Sequence, residues 1–205
     1  MANFSGGIEP VGNLGGAVSF PSQYLIEEAA QTFFALTPVM INATDGGIQA
    51  WDGTTLTNAI AGFSLAVASN LATTGAGAPQ GLTPVLGPGS VIGSYPANPN
   101  QPLAVITPPG VPFNDGRILF AVAVQSTAFV GNIGTTGSVI ATSNAQVGVK
   151  YGLTKDTNGY WYVDTAKTGG NAVVEIVKLD PRYAVGTVGG LVWFTVLPAA
   201  ASLQY

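Results

Sequence analysis

Cysteine and histidine are both missing from the 205 residues, and each absence removes a class of chemistry. Without cysteine there is no disulfide framework and no thiolate metal site. Without histidine the commonest general base, the commonest metal ligand and the usual pH switch go together. Neither a Ser/His/Asp nor a Cys/His arrangement can be assembled. Charge is scarce as well: 8% of the residues are Asp, Glu, Lys or Arg, against roughly 25% in an ordinary soluble domain. Long apolar runs are also lacking. No stretch approaches the ~18 consecutive apolar residues of a spanning helix, and the most apolar runs, Ile118–Val124 and Leu191–Leu197, have strand length. The stretch from Met1 to Gly7 has neither the basic nor the apolar region of a signal peptide. Tyr205 could serve as the terminal aromatic of an outer-membrane barrel, but Pro79–Pro112 cannot supply the alternating segments such a barrel needs. No membrane partner is expected.

What is present is apolar, small and turn-forming. Hydrophobic residues make up 47% of the chain, with 28 glycines and 14 prolines, and the mean hydropathy is +0.38. Ser, Thr, Asn and Gln hold the polar role that charges usually hold. A chain this poor in charge has difficulty covering a solvated surface, and a subunit whose surface is buried in an assembly fits the composition. The charges are also unevenly placed. Residues 1–116 contain no Lys or Arg and carry Glu9, Glu27, Glu28, Asp45, Asp52 and Asp115, a net of −6; residues 117–205 hold all six cations and four acids, a net of +2. An acidic part of this kind can meet a basic protein surface. Neither part clusters Lys and Arg as phosphate neutralisation requires, so direct nucleic-acid binding is not expected.

Read along the chain, the pattern is that of strands and turns. Residues 1–23 carry scattered apolar anchors among glycines and prolines, with no lasting period; they are expected to form an extended N-terminal arm lying on a neighbouring subunit. Residues 24–205 are expected to form a single β domain. Ser22 could cap a short helix through Tyr24–Ala30, or that segment could be extended. Thr32–Ile41, Ile48–Trp51 and Ala59–Ala68 read as strands of a meander, with turns at Asp45-Gly46-Gly47 and Asp52-Gly53. Residues 79–115 hold nine of the fourteen prolines. Because proline cannot donate to a ladder, they read as a long excursion placed at a subunit contact. Arg117–Gln125 is nearly all apolar, as in a strand buried on both faces. Gly131–Gly137 reads as a turn-rich break, and Gln146–Leu153 as a strand. Asn158-Gly159 predicts a type I′ hairpin returning into Tyr160-Trp161-Tyr162-Val163. Asn171–Leu179 alternates up to Asp180-Pro181, and Leu191–Leu197 closes the domain. The expected class is all-β, an antiparallel β-barrel or sandwich of β-tulip or jelly-roll-like type, with the arm and the Pro-rich excursion added.

Sites of chemistry are few. Glu27 and Glu28 are adjacent and diverge on either a strand or a helix. Asp45 and Asp52 sit at turns, where a carboxylate bonds nearby backbone. Asp156 and Asp164 flank the hairpin and are expected to orient its loop. Gly131-Asn-Ile-Gly134-Thr-Thr-Gly137 lacks the following helix that a dinucleotide loop requires. Tyr160, Trp161 and Tyr162 could stack on a sugar, although cross-strand packing is the simpler role. No catalytic residue, cofactor or metal is expected. The residues with surplus apolar surface, Phe4, Ile8, Val11, Leu14 and Phe20 in the arm and Tyr95, Leu103 and Ile106 in the excursion, are the candidate subunit-interface positions.

Two stretches, read together, resemble a known family. The first runs from Glu28-Ala-Ala-Gln-Thr-Phe33 through Pro38-Val-Met-Ile41 to Ile60-Ala-Gly-Phe-Ser-Leu65. The second is Lys150–Asp164, followed by Val173–Val177, Leu179-Asp-Pro181 and Val192–Ala199. Over about half of the chain they resemble the β-rich head decoration, or cement, proteins of tailed bacteriophages. The resemblance lies in strands and turns, with no catalytic motif. It implies a small structural protein, commonly a trimer, on the outer surface of the virion. Such a protein bridges neighbouring copies of the major capsid protein and stabilises the icosahedral shell. The long excursion and the apolar arm depart from that pattern and leave the exact fold and contact mode open. Another virion component (tail, fibre or shell subunit) and a carbohydrate-binding β module are the alternatives.

Overall fold

The computed structural model describes residues 8–13, 20–26, 31, 33–44, 46–53, 58–65 and 117–202. Among these residues the strands are β1 (Glu9–Asn13), β2 (Ser22–Ile26), β3 (Pro38–Ile41), β4 (Ile48–Ala50), β5 (Gly62–Ser64) and β6 (Arg117–Val122), followed by β7 (Thr127–Thr135), β8 (Ser138–Val139), β9 (Lys150–Lys155), β10 (Trp161–Asp164), β11 (Val174–Leu179) and β12 (Leu191–Val196). Three short 3-10 turns accompany them, and no α-helix is found among the described residues. The chain is all-β.

Two sheets divide the strands. One is open, in the order β2-β6-β5-β3-β4 and antiparallel throughout. In the other, β7, β10, β9, β11 and β12 pair in turn, and β12 pairs back onto β7, so five strands close a small barrel. β1 adds to β7 outside the ring, with a bulge between Pro10 and Gly12. Closure uses one parallel pair, β10 with β7, in an otherwise antiparallel ring. A sheet closed on itself leaves no open edge among its ring strands, the condition that short apolar strands need to avoid unwanted pairing.

Side-chain alternation explains why the open sheet sits where it does. Ala121 and Ala123 face the larger core with Met40 and Phe63, while Ile118, Phe120 and Val122 face a second core with Val39 and Ile48. Period-two alternation therefore buries both faces, as the near-continuous apolar run at Arg117–Gln125 predicts. Three phenylalanines join the sheet to the barrel. The ring of Phe63 on β5 lies 4.4 Å from that of Phe129 on β7, and Phe129 stacks on Phe194 of β12 at 6.0 Å. All three side chains are fully buried.

Glycine is what the sequence reading misjudged. The break expected over Gly131–Gly137 is confined to its last two residues: β7 runs through Gly131 and Gly134 to Thr135 as a nine-residue strand with eight residues buried, and the turn is Thr136-Gly137. A β-carbon on Gly131 would stand 3.0 Å from Ile8 Cγ1 and 3.5 Å from Phe194 Cε1. The glycine is there to let neighbouring side chains cross the strand. The turns trade places in a similar way. Asn158-Gly159 does make a hairpin, but Gly159 alone has positive φ (+92°). Asp156 N–H donates to Tyr160 O at 2.9 Å and Gly159 N–H to Asp156 O at 3.1 Å. That is a three-residue loop ending in a left-handed glycine, not a two-residue type I′ turn. The type I′ geometry is found instead between β7 and β8. There Thr135 pairs with Ser138, and both intervening residues, Thr136 (φ 47°) and Gly137 (φ 81°), are left-handed.

Element boundaries shift for local reasons. The strand expected at Thr32–Ile41 begins only at Pro38, because Leu36 turns the chain at φ 67° and donates its N–H to Ser64 O at 2.8 Å. Of Gln146–Leu153 only Lys150 onward is strand. Ser143 caps a 3-10 turn at Asn144–Gln146 with a reciprocal capping box. Of the strand expected at Ala59–Ala68, Gly62–Ser64 is strand among the described residues, and 66–68 lie outside them.

Thr136 is a β-branched residue held in a region that disfavours it. Thr136→Asn preserves the backbone donors and suits the turn, so it is expected to stabilise the chain by about 0.5–1 kcal/mol. Thermal or urea melts of the two proteins check this; an unchanged or lower midpoint would contradict the turn assignment.

Candidate interaction surface

The eight candidate interface residues separate into three groups. Phe4, Leu14, Tyr95, Leu103 and Ile106 lie outside the described residues, as do the whole 79–115 excursion, Asp45, Glu27 and Glu28. Val11 and Phe20 are half-buried, and Phe20 packs against the chain's own larger core. Ile8 is fully buried in that core, against Gly131. The expectation of an arm lying on a neighbour needs correcting for this part: β1 completes the chain's own sheet, and Ile8 has no surface left to offer. The reason is that Glu9–Asn13 meets the free side of β7 in register, with Glu9 opposite Val130 and Asn13 opposite Thr127.

The aromatic run also turns inward. Trp161 and Tyr162 are buried, and Trp161 packs on Trp51 with ring centroids 5.4 Å apart. The Tyr162 hydroxyl accepts the Gly137 N–H at 2.7 Å, and burial pushes its pKa up. Only Tyr160 is exposed. A three-ring sugar platform is therefore not presented.

The described aspartates hold turns. Asp156 Oδ1 accepts from the N–H groups of Asn158 (2.9 Å) and Tyr160 (2.8 Å), fixing the hairpin as expected. Asp164 is buried and serves other segments: it accepts from the Thr154 hydroxyl at 2.9 Å, Ala166 N–H at 3.0 Å and Thr136 N–H at 3.3 Å. Asp52 accepts from Asn58 Nδ2 at 2.7 Å across the base of its loop. No group of three or more acidic residues able to hold a metal is found among the described residues.

The most elaborate of these arrangements lies at the start of the loop joining β11 to β12. Asp180 is 1% exposed and takes a two-pronged bond from Arg182, Nε to Oδ1 at 2.9 Å and Nη2 to Oδ2 at 2.7 Å. Arg182 N–H also donates to Oδ1 at 2.9 Å, and Trp193 Nε1 to Oδ2 at 3.1 Å. Lys178 completes the cluster with Nζ 3.6 Å from the centroid of the Trp193 ring, a cation–π contact. The Arg182 bonds hold the Asp180 carboxyl at about 2, well below its ordinary 3.8, against the opposing effect of burial.

Beyond this anchor the loop is exposed and apolar. Tyr183, Val185 and Val188 all project to solvent, and Val147 does so from the adjoining 140–149 segment. The two segments are stitched together: Thr142 N–H donates to Thr187 O at 3.1 Å, Gly186 N–H to Thr142 O at 2.8 Å and Gly189 N–H to Ile140 O at 3.2 Å. Sequence reasoning missed this surface. Pro181–Gly190 has the composition of an ordinary turn, and its only signal is two valines in a stretch where turn residues would do.

Two measurements check these placements. Ile8→Ala is expected to destabilise the isolated chain by about 2–4 kcal/mol in urea unfolding, as for a core deletion; a residue resting on a neighbour would change the isolated chain by less than about 0.5 kcal/mol. Asp180 has a lowered pKa, so its stabilisation is present above the unfolded value and is lost as pH falls from 3.8 to about 2. The amount is on the order of 2 kcal/mol. Relative to the parent chain, Asp180→Asn is expected to lose that amount at neutral pH and to show a flatter stability profile through the same acid window; parallel profiles would refute the linkage.

Comparison with known proteins adds no relative: no family model, no curated protein and no solved structure matches the chain.

Proposed function

We propose that this chain is a non-catalytic structural subunit that acts by protein–protein contact, decorating the outer surface of a tailed-phage capsid and stabilising it by bridging copies of the major capsid protein. The observation that carries the reading is the pairing of a charge-poor chain with a rigidly bonded loop that presents Tyr183, Val185 and Val188 to solvent. An ordered apolar protrusion on a soluble β fold is what a contact surface requires, because little entropy remains to be lost on docking. The resemblance to head decoration proteins supplies the setting, the virion exterior, and the expectation of a homo-oligomer with trimer favoured. The low density of cations supports a protein partner over nucleic acid. No helix among the described residues is long and apolar enough to cross a membrane.

Another virion component, a tail, fibre or shell subunit, has the same composition and is the second reading. Copy number separates the two, since a decoration protein is present in numbers set by the shell lattice. The sugar-binding reading is weakened by the burial of Trp161 and Tyr162.

The test is reconstitution. The purified chain is mixed with expanded shells of its cognate tailed-phage major capsid protein, and the shells are sedimented and heated. Saturable co-sedimentation at a lattice-defined copy number, with a higher temperature of shell disruption, is the expected result. Because β1 belongs to this chain's own fold, the truncation that probes the arm removes residues 1–7 alone. A chain that neither sediments with shells nor alters their heat resistance would overturn the proposal.

A further inference from the structure

An asparagine amide is open to attack by the backbone nitrogen of the residue that follows it. A side chain on that residue shields the nitrogen, and glycine has none. Of the asparagines in the chain, Asn158 alone precedes a glycine. It is also exposed, at the tip of the loop joining β9 to β10. Asn144 and Asn171 are exposed as well, but each precedes an alanine and each sits in a 3-10 turn. Asn132 is buried and precedes Ile133.

Both reacting groups at the tip are held by one residue. Gly159 N–H donates to Asp156 O at 3.1 Å. Asn158 Nδ2 lies 3.4 Å from Asp156 Oδ2, and Asn158 N–H donates to Oδ1 at 2.9 Å. To react, the glycine nitrogen must lose its proton and the Asn158 side chain must swing toward it, so these bonds have to open first. Because all of them end on Asp156, one local opening of the loop frees both partners. Little else covers the tip. A β-carbon on Gly159 would stand 3.1 Å from Phe34 Cε2, and Phe34 is itself 38% exposed.

We propose that Asn158 is a self-modification site, and that Asp156 is the positioning residue that sets its rate. Gly159 N gives up its proton to water and bonds to Asn158 Cγ. The Cγ–Nδ2 bond breaks, Nδ2 takes a proton from water, and ammonia leaves behind a five-membered succinimide. Water then opens the ring at either carbonyl, giving aspartate or isoaspartate, with no oxidant or reductant required. Either product leaves the chain one unit more negative than its −4. The new carboxylate lies beside Asp156, where the Nδ2 donor has been replaced by a like charge. Isoaspartate also adds a backbone carbon before Gly159, which shifts the glycine from its place against Phe34. The product thus weakens the bonds that delayed its formation, and the hairpin loosens as the chain ages. This inference is independent of what the chain assembles with.

Site-resolved mass spectrometry on the full chain, kept at mildly alkaline pH, tests it. In the folded chain Asn158 is expected to convert before any other asparagine, with a gain of one mass unit and isoaspartate detected by enzymatic methylation. Conversion is expected to be about tenfold slower than in urea, where the loop is open throughout. Asp156→Ala is expected to speed conversion at Asn158 at least fivefold while Asn144 and Asn171 keep their rates. A variant that merely unfolds would accelerate all three. Asp156→Asn retains an acceptor oxygen for the backbone and is expected to stay within twofold of the parent. The proposal is overturned if another asparagine converts first, or if Asn158 is intact after a hundred times its half-life in urea. It is likewise overturned if Asp156→Ala leaves the Asn158 rate unchanged or raises all three rates together.

Discussion

Strand β7 is shared by more of the molecule than any other element, and its sharing depends on close packing around glycine. Along its nine residues it pairs with β1 and β12 in its first half and with β10 and β8 toward its end. The β12 and β10 pairings close the ring, and β1 extends the sheet beyond it. Phe129, within the same strand, carries the contact with Phe63 that attaches the open sheet. At Gly131 the side chains of Ile8 and Phe194 both come within 3.5 Å of where a β-carbon would stand. A larger residue there must displace one of them; Ile8 leads into β1 and Phe194 belongs to β12. The barrel, its extra strand and its attachment to the open sheet thus share one steric condition.

This packing explains how a chain with so few charges is held in register. Strand pairing alone leaves a one-residue slip open wherever both faces are apolar, because neither face identifies itself. Buried polar fixings close that freedom. Asp164 joins Thr154 on β9 to the β7–β8 turn, and Tyr162 reaches the same turn through its hydroxyl. A slip of β10 against either neighbour would strand a buried carboxylate without its donors, at a cost of several kcal/mol. Asp180 acts likewise at the opposite end of β11, where the register with β12 shifts between Ile176 and Lys178. Among the described residues Asp52, Asp156, Asp164 and Asp180 each fix a turn or a register.

How far the fold was legible follows from which forces act locally. The apolar runs at Arg117–Gln125 and Leu191–Leu197 were readable because burial on both faces leaves its mark on every residue. The hairpin at Asp156–Tyr160 was readable because Gly159 needs positive φ whatever the turn type. Its exact geometry was not, since one left-handed residue and two look alike in an Asn-Gly pair. Gly131 and Gly134 were misread because a glycine selected for a neighbour's approach carries the same letter as one selected for a turn. Ile8 was misassigned because the strand it precedes is short and bulged, and its partner is more than a hundred residues away. The exposed loop was invisible for a related reason. Val185 and Val188 are outside only because Thr142 and Asn132 hold the backbone that bears them.

That last dependence bears on what the loop is for. A flexible loop could bury its valines by folding back onto the barrel, and hydrophobic burial would favour it by about 1 kcal/mol or more per side chain. Here the backbone bonds to residues 140 and 142 and the Asp180–Arg182 anchor forbid that collapse. The apolar surface is kept in water by polar bonds on either side of it. Such an arrangement destabilises the isolated chain slightly and becomes favourable only when another surface covers the loop. A contact made by a pre-ordered loop loses little entropy on forming, so a modest area can hold two subunits together. In a chain with no histidine and few charges, this stored apolar exposure is the plainest source of binding free energy that the fold retains.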